Sequence, residues 1–282
     1  MRRALFIINS LASIPAIWAA EPEYPREVAR WQEVSVPPES DKGSRAVWFY
    51  SANYSPHEWR VHTDGGQVCA ALDTEKPQEQ KERPAFTPEV GRFHGASAFA
   101  AVDDGWLVGF NQGEWGGALY WFSRDGTQNY KVSKHQVVNF FSLTNGLHAI
   151  EGLAHLGISE GSIIRIVRSQ PKAHWQALVV AELPFAPYAI SVRRDGTMLA
   201  TLSDALVFVG RDYRVDTLLR DPPWAGLYPN SSILSRDERK LYIGMRQFVG
   251  EFDLSTKKLR LLVPSEAFLN KLPKEQEERI RK

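Results

Sequence analysis

The sequence predicts an all-β protein, a single β-propeller of four-stranded blades, five in number with six as the alternative count. Three observations carry this. Helical periodicity is scarce between residues 45 and 263, where short β-branched and aromatic runs are separated by Gly, Asp and Asn. That is the pattern of many short strands joined by tight turns. One unit recurs, reading strand, hairpin, strand, loop, strand, hairpin, strand. Its first-hairpin turns fall near Asp104-Gly105, Asn145-Gly146, Asp195-Gly196 and Asp237, about 40–50 residues apart, the spacing of propeller blades. The composition, 43% hydrophobic and 24% charged, excludes whole-chain disorder, collagen and coiled coil.

In chain order, residues 1–20 read as a secretory signal. Arg2 and Arg3 precede an apolar run interrupted by Asn9, Ser10 and Ser13, and Pro15 then leads to the small residues Ala19 and Ala20. The run falls short of the roughly 20 residues a spanning helix needs, so a periplasmic or secreted protein with no stable membrane span is expected. Residues 21–44 form an N-terminal extension, and the propeller occupies 45–264.

Its first unit is partial, with strands at 46–50, 59–62 and 68–72 around the turn Asp64-Gly65-Gly66. The missing strand is expected from 33–36 or from the C-terminal region, closing the ring and covering its edges. Residues 74–89 are rich in proline and charge and read as a polar loop. Four complete units follow, with strands at 98–102, 106–110, 118–122 and 130–132, then 140–143, 147–150, 163–167 and 175–180. The third has 189–192, 198–200, 205–209 and 215–219, and the last 232–234, 240–244, 248–252 and 259–263. Residues 265–282 form a charged helix or tail.

Lys and Arg total 34 against 33 Asp and Glu, a net charge of +1. Without a basic surplus, nucleic acid is a poor partner. Cys69 is the one cysteine, so no intrachain disulfide forms, and its apolar run 68–72 marks it as a core residue. An exported chain without disulfides points to a bacterial periplasm.

Loops between second and third strands gather on one propeller face with the loops between blades, and long loops on a rigid scaffold are where function concentrates. Two such insertions stand out, at 111–117 and 152–161, in adjacent units. The first offers Asn111, Glu114 and Trp115 among Gly113, Gly116 and Gly117, an acid and an aromatic plate; the bland alternative is that Trp115 fills a gap and Glu114 caps amides. The second offers His155 near Glu151 as a base or metal ligand, against a purely structural histidine. Arg246 holds the corresponding place in the last unit and is expected to pair with Glu151 or Glu114, or to hold an anion. The Gly157-Ile158-Ser159-Glu160-Gly161 sequence has the form of a nucleophile elbow but lies between strands, where an elbow needs a strand-to-helix turn. No phosphate-binding loop or zinc-protease motif occurs.

Residues Asp195-Gly196-Thr197-Met198-Leu199-Ala200, and Tyr228-Pro229-Asn230 with Ser235-Arg236-Asp237 and Leu241-Tyr242-Ile243-Gly244, carry a resemblance. Over roughly residues 95–264 the chain resembles the gluconolactonase-like and strictosidine-synthase-type propellers and the NHL repeats. The resemblance implies architecture, since such repeats carry many activities. In the gluconolactonase-like enzymes an Asn in a Pro-Asn-Gly turn helps hold a central divalent metal. Asn230 matches that position, with Ser231 in place of the glycine. Pro187-Tyr188-Ala189 stands where those enzymes carry Pro-Asp-Gly, so Tyr188 replaces one ligand of a calcium ion that needs about 6–8 oxygens.

Two functions follow. The leading one is a monomeric, non-enzymatic binding module without cofactor, whose loop face (Asn111, Glu114, Trp115, Glu151, His155, Tyr188, Asn230, Arg246) takes a protein, peptide or envelope component. The alternative is a lactonase or esterase using a central calcium ion.

Overall fold

The computed structural model describes residues 23–75, 82–96, 98–171 and 173–282. The expected signal at 1–20 and the middle of the polar loop, 76–81, lie outside these residues. Four antiparallel four-stranded blades follow one another along the chain. The first holds β4 (Ala98–Val102), β5 (Gly105–Asn111), β6 (Gly117–Ser123) and β7 (Asn129–Ser133), and the second β8 (Val137–Leu143), β9 (Gly146–His155), β10 (Ile158–Val167) and β11 (Gln176–Leu183). The third holds β12 (Pro187–Val192), β13 (Met198–Leu202), β14 (Ala205–Val209) and β15 (Val215–Arg220). The fourth holds β16 (Ser231–Leu234), β17 (Lys240–Gly244), β18 (Val249–Asp253) and β19 (Lys258–Val263). The first strands β4, β8, β12 and β16 pack against one another in that order.

Aspartate turns hold the hairpins. Asp195 Oδ1 accepts from the Thr197 amide at 2.9 Å and its hydroxyl at 2.6 Å. Asp253 does the same with Ser255, at 2.9 and 2.6 Å, and Asp125 with Thr127. These are Asx turns, in which the side chain takes over a backbone turn bond. Bonds of this kind favour the charged carboxylate, and the Asp253 carboxyl, led by its bond from the Ser255 hydroxyl, is held down at about 2.

The core lies between blades. Ala149 and Ile164 join Leu107, Leu119 and Val137 between the first two blades, whereas the neighbouring Ile150 and Ile163 join Met198, Ala200 and Val207 between the second and third. Leu199 and Leu206 then meet Leu241, Ile243 and Phe252. Alternate residues of each middle strand thus serve opposite neighbours, so β13 is buried at every position, as strands covered on both faces are. On the first blade the uncovered side is filled by Phe86 and Phe93 against Phe110 and Phe122. Cys69 is buried, as its apolar run suggests.

The N-terminal third departs from the sequence reading. Residues 46–50 are not a strand but part of α1 (Lys42–Asn53). Asp41 caps it by accepting from the Ser44 amide at 2.9 Å, and Trp48 stacks on Phe248 with centroids 5.4 Å apart. A short apolar run fits either element, and the cap together with Trp48 and Ala52, one turn apart and both packed on the fourth-blade core, decides for the helix. The partial unit is therefore only the hairpin β2 (Trp59–Asp64) and β3 (Gln67–Leu72), which packs beside β16 and β17. Nor does the 33–36 segment complete that unit. β1 (Gln32–Val34) pairs with β19 and extends the fourth blade to five strands.

The beginning of the described chain thus closes on its end. Trp59 donates its amide to Met245 O at 3.0 Å and its indole to Gln247 O at 3.1 Å. Tyr24 and Trp31 pack edge-on against it at 4.9 and 4.8 Å. Gly244 permits the close approach, since a Cβ there would lie 2.5 Å from Trp59 O. The tail forms α2 (Lys274–Arg281) against α1, anchored by Asn270 Nδ2 donating to Ser51 O at 2.7 Å. Among the described residues no helix is long and apolar enough to cross a membrane.

Candidate functional site

The two expected insertions do sit side by side. In the first blade Asn111 Oδ1 accepts from the Gly113 amide at 3.1 Å and folds residues 113–115 into a short 3-10 turn. Gly113 and Gly116 adopt positive φ there, 59° and 94°, which glycine does without strain. Gln136 Nε2 fastens the turn to the next blade by donating to Gly113 O at 3.2 Å.

The second insertion is not a loop. β9 and β10 run out to residues 155 and 158 and join through Leu156-Gly157, whose φ values of 43° and 86° are both positive. Two left-handed residues are the signature of the tight turn that matches the twist of a hairpin. A leucine is an uncommon choice there, which is why the sequence reads as a loop. Ser159 lies on β10, so no nucleophile elbow exists. Its hydroxyl is 2.7 Å from that of Ser203.

Glu114 and His155 join the two tips, Oε2 to Nε2 at 2.6 Å. Around them are apolar side chains facing solvent: Trp115 is 65% exposed, Leu156 89% and Ile158 52%. Trp115 therefore does not fill a gap between blades. Leu156 and Ile158 escape sequence reasoning because apolar residues in a run are read as core.

Of the remaining candidates, Tyr188, Asn230 and Arg246 lie on the third and fourth blades, and Glu151 stays within the second. Arg246 pairs with neither Glu114 nor Glu151. It donates through Nη1 to Asn53 O at 2.7 Å and lies 4.9 Å from the centre of the exposed Tyr228 ring. The expectation fails because the fourth blade packs on the hairpin and α1, whose backbone meets Arg246 first. Glu151 instead accepts from Ser162 Oγ at 2.5 Å on the adjacent strand. Tyr188 is half-buried, and burial, followed by nearby Tyr228 and Asp204, raises its hydroxyl above the usual range.

Asn230 Nδ2 donates to Glu58 Oε1 at 3.1 Å, and its Oδ1 accepts from Ser231 Oγ at 2.8 Å. The Nδ2 bond thus ties the fourth blade to the residue ahead of the hairpin, while the Oδ1 bond stays within the blade and orients Ser231, whose Oγ accepts from the Val61 amide of the hairpin at 3.0 Å. Among the described residues, no three His, Cys, Asp or Glu side chains gather as a metal would require. With Tyr188 at the position of an expected carboxylate, this donor set does not fit a central calcium ion.

Neither a protein-family model nor a curated protein matches the chain. Among solved structures it is similar to virginiamycin B lyase from Staphylococcus aureus, at 16% identity and a TM-score of 0.41, over 61% of this chain and 57% of that one. A gluconolactonase from Xanthomonas campestris matches at 12% identity and a TM-score of 0.39, over 61% of each chain. A chain of a nidogen/laminin complex matches at 11% identity and a TM-score of 0.38, over 58% of this chain and 61% of that one. The chain spans about three fifths of the length of these structures.

Proposed function

We propose that the chain is an exported binding module, acting in the periplasm or beyond the cell, that captures a protein or envelope component at the joined tips of its first two blades. The observation that carries this is Trp115, Leu156 and Ile158 facing solvent around the Glu114–His155 contact. Apolar side chains held exposed on rigid tips, rimmed by a paired acid and base, have the character of an interaction surface, and tryptophan is the residue most often found at the centre of one. Gln136 holds the first tip to the next blade and the second tip is a tight hairpin turn, so little ordering entropy is lost on binding. The hydrolase reading has less support, since Tyr188 stands where a metal-binding carboxylate would be needed.

Replacing Trp115 with a photo-crosslinking amino acid in the native host tests the proposal. A discrete adduct is expected from position 115 and from position 156, and none from a control position in the β16–β17 turn such as Arg236. Adducts at all three positions, or at none, would remove the assignment. Cell fractionation with an antibody to the chain tests the location, and a cytoplasmic pool alone would refute export.

A further inference from the structure

A cleft of about 480 Å³ opens between one face of α1 and the loops that follow β13 and β15. This lies within the range of about 300–1,000 Å³ typical of small-ligand sites. Trp48, Phe49 and Tyr50 supply an aromatic wall from the helix, and Pro222 and Pro223 an apolar one from the loop.

Four charged residues line the same cleft, Lys42 and Arg45 on the helix and Asp204 and Asp221 on the loops. Among the described residues no ion pair crosses it. Arg45 donates instead to Pro37 O at 3.0 Å and lies 3.9 Å from Glu39. Lys42, Asp204 and Asp221 make no ion pair among the described residues, and Arg45 makes only a long one to the exposed Glu39, so charge of both signs borders the cavity and is open to a ligand.

The backbones of the two aspartates are tied together, and the Asp204 carboxylate is held by its neighbour. The Asp221 amide donates to Asp204 O at 3.1 Å, and Ser203 Oγ donates to Asp204 Oδ2 at 2.6 Å. Their remaining oxygens accept, which suits an ammonium group, while Lys42 and Arg45 suit a carboxylate. The helical wall of the cleft, from Lys42 to Tyr50, is about 12 Å long at 1.5 Å per residue, room for a peptide of about three extended residues at about 3.4 Å each.

We propose that this cleft binds a short peptide by its free ends. The amino terminus lies against Asp204 and Asp221 and the carboxylate against Lys42 and Arg45, with an apolar side chain between the aromatic and proline walls. The proposal is independent of the surface around Trp115.

Titration calorimetry of the full chain tests it with three probes: the tripeptide Ala-Phe-Ala, its N-acetylated form and its C-amidated form. The free peptide is expected to bind, and each blocked form to bind at least about tenfold more weakly, the loss of one charge-assisted contact. The double variant Asp204→Asn/Asp221→Asn should lower affinity for the free peptide to that of the acetylated form and leave the acetylated form unaffected, with the melting temperature confirming an intact fold. Equal binding of all three probes, or none at millimolar concentration, overturns the proposal without needing any variant to fold. Both results would leave the crosslinking outcome at Trp115 unchanged.

Discussion

Trp59 and Trp115 set the same residue type in opposite surroundings, so one substitution in two places separates the contact that closes the fold from the surface that binds. Trp59 is fully buried, meets Tyr24 and Trp31 edge-on, and donates its indole to Gln247 O. Its removal leaves a cavity between the β2–β3 hairpin and the fourth blade and orphans a buried carbonyl. Truncating a buried Trp to Ala costs about 3–5 kcal/mol, and at about 2–4 °C per kcal/mol for domains in this size range the melting temperature should fall by roughly 10 °C.

Trp115 is 65% exposed, and its truncation should change stability by no more than about 0.5 kcal/mol. Trp59→Phe, which keeps most of the ring but loses the hydrogen bond, should fall between the two. Thermal unfolding followed by near-ultraviolet circular dichroism reads all three. A Trp59→Ala protein that melts within about 3 °C of the parent, or a Trp115→Ala protein that loses as much, would refute the assignment of Trp59 to the closing contact.

Other outcomes follow from the same geometry. Gly244→Ala sets a Cβ 2.5 Å from Trp59 O and 3.1 Å from Arg60 Cα. The hairpin must shift, at about 1–3 kcal/mol, visible as a lower urea midpoint; an unchanged midpoint would show that the junction is loose. Burial alone pushes the Glu251 carboxyl up, but bonds from Arg260, Lys240 and Tyr242 outweigh it and hold it below the usual range. A lowered folded-state value means stability that is present above the unfolded-state value and lost as pH falls through the folded one. Acidification below the ordinary glutamate range should therefore destabilise the parent protein more steeply than Glu251→Gln, and parallel pH profiles would contradict this. Asn230→Ala, which removes the link to Glu58, should lower the melting temperature by the same amount in calcium and in EDTA, whereas a loss confined to calcium would revive the metal-site reading.

The blades were legible because their signals are local. The first-hairpin aspartates Asp195 and Asp237 accept from groups two residues away, Thr197 and Ser235, bonds that need nothing from the rest of the chain. The N-terminal third was not legible, because its state depends on distant partners. The apolar run from Ala46 to Tyr50 becomes a helix facing Phe248, and β1 finds β19 on the far side of the sequence.

The candidate site was legible in part for the same reason. Adjacent repeats bring the Glu114 and His155 segments together, so blade order alone predicts that the two insertions are neighbours, while the pairing of Glu114 with His155 rather than with Arg246 was not legible. Arg246, by contrast, is claimed by Asn53 and Tyr228, and Asp204 and Asp221 face a cleft that exists only once α1 has folded. The exposure of Leu156 has no sequence signal, since leucine in a left-handed turn is a poor match to any turn pattern.

The closure of the first described residues on the fourth blade also sets an order in time. A chain made from its amino terminus presents Tyr24, Trp31 and Trp59 long before β16 to β19 exist to receive them. At about 5–20 residues per second the wait is on the order of ten seconds. Throughout it the aromatic patch has no native partner, while the first three blades can already assemble from near neighbours. Loss of the last blade would therefore strand the beginning of the fold as well as its end. A protein that must stay unclosed until its last blade arrives keeps this aromatic patch open to a chaperone or to wrong partners until it locks.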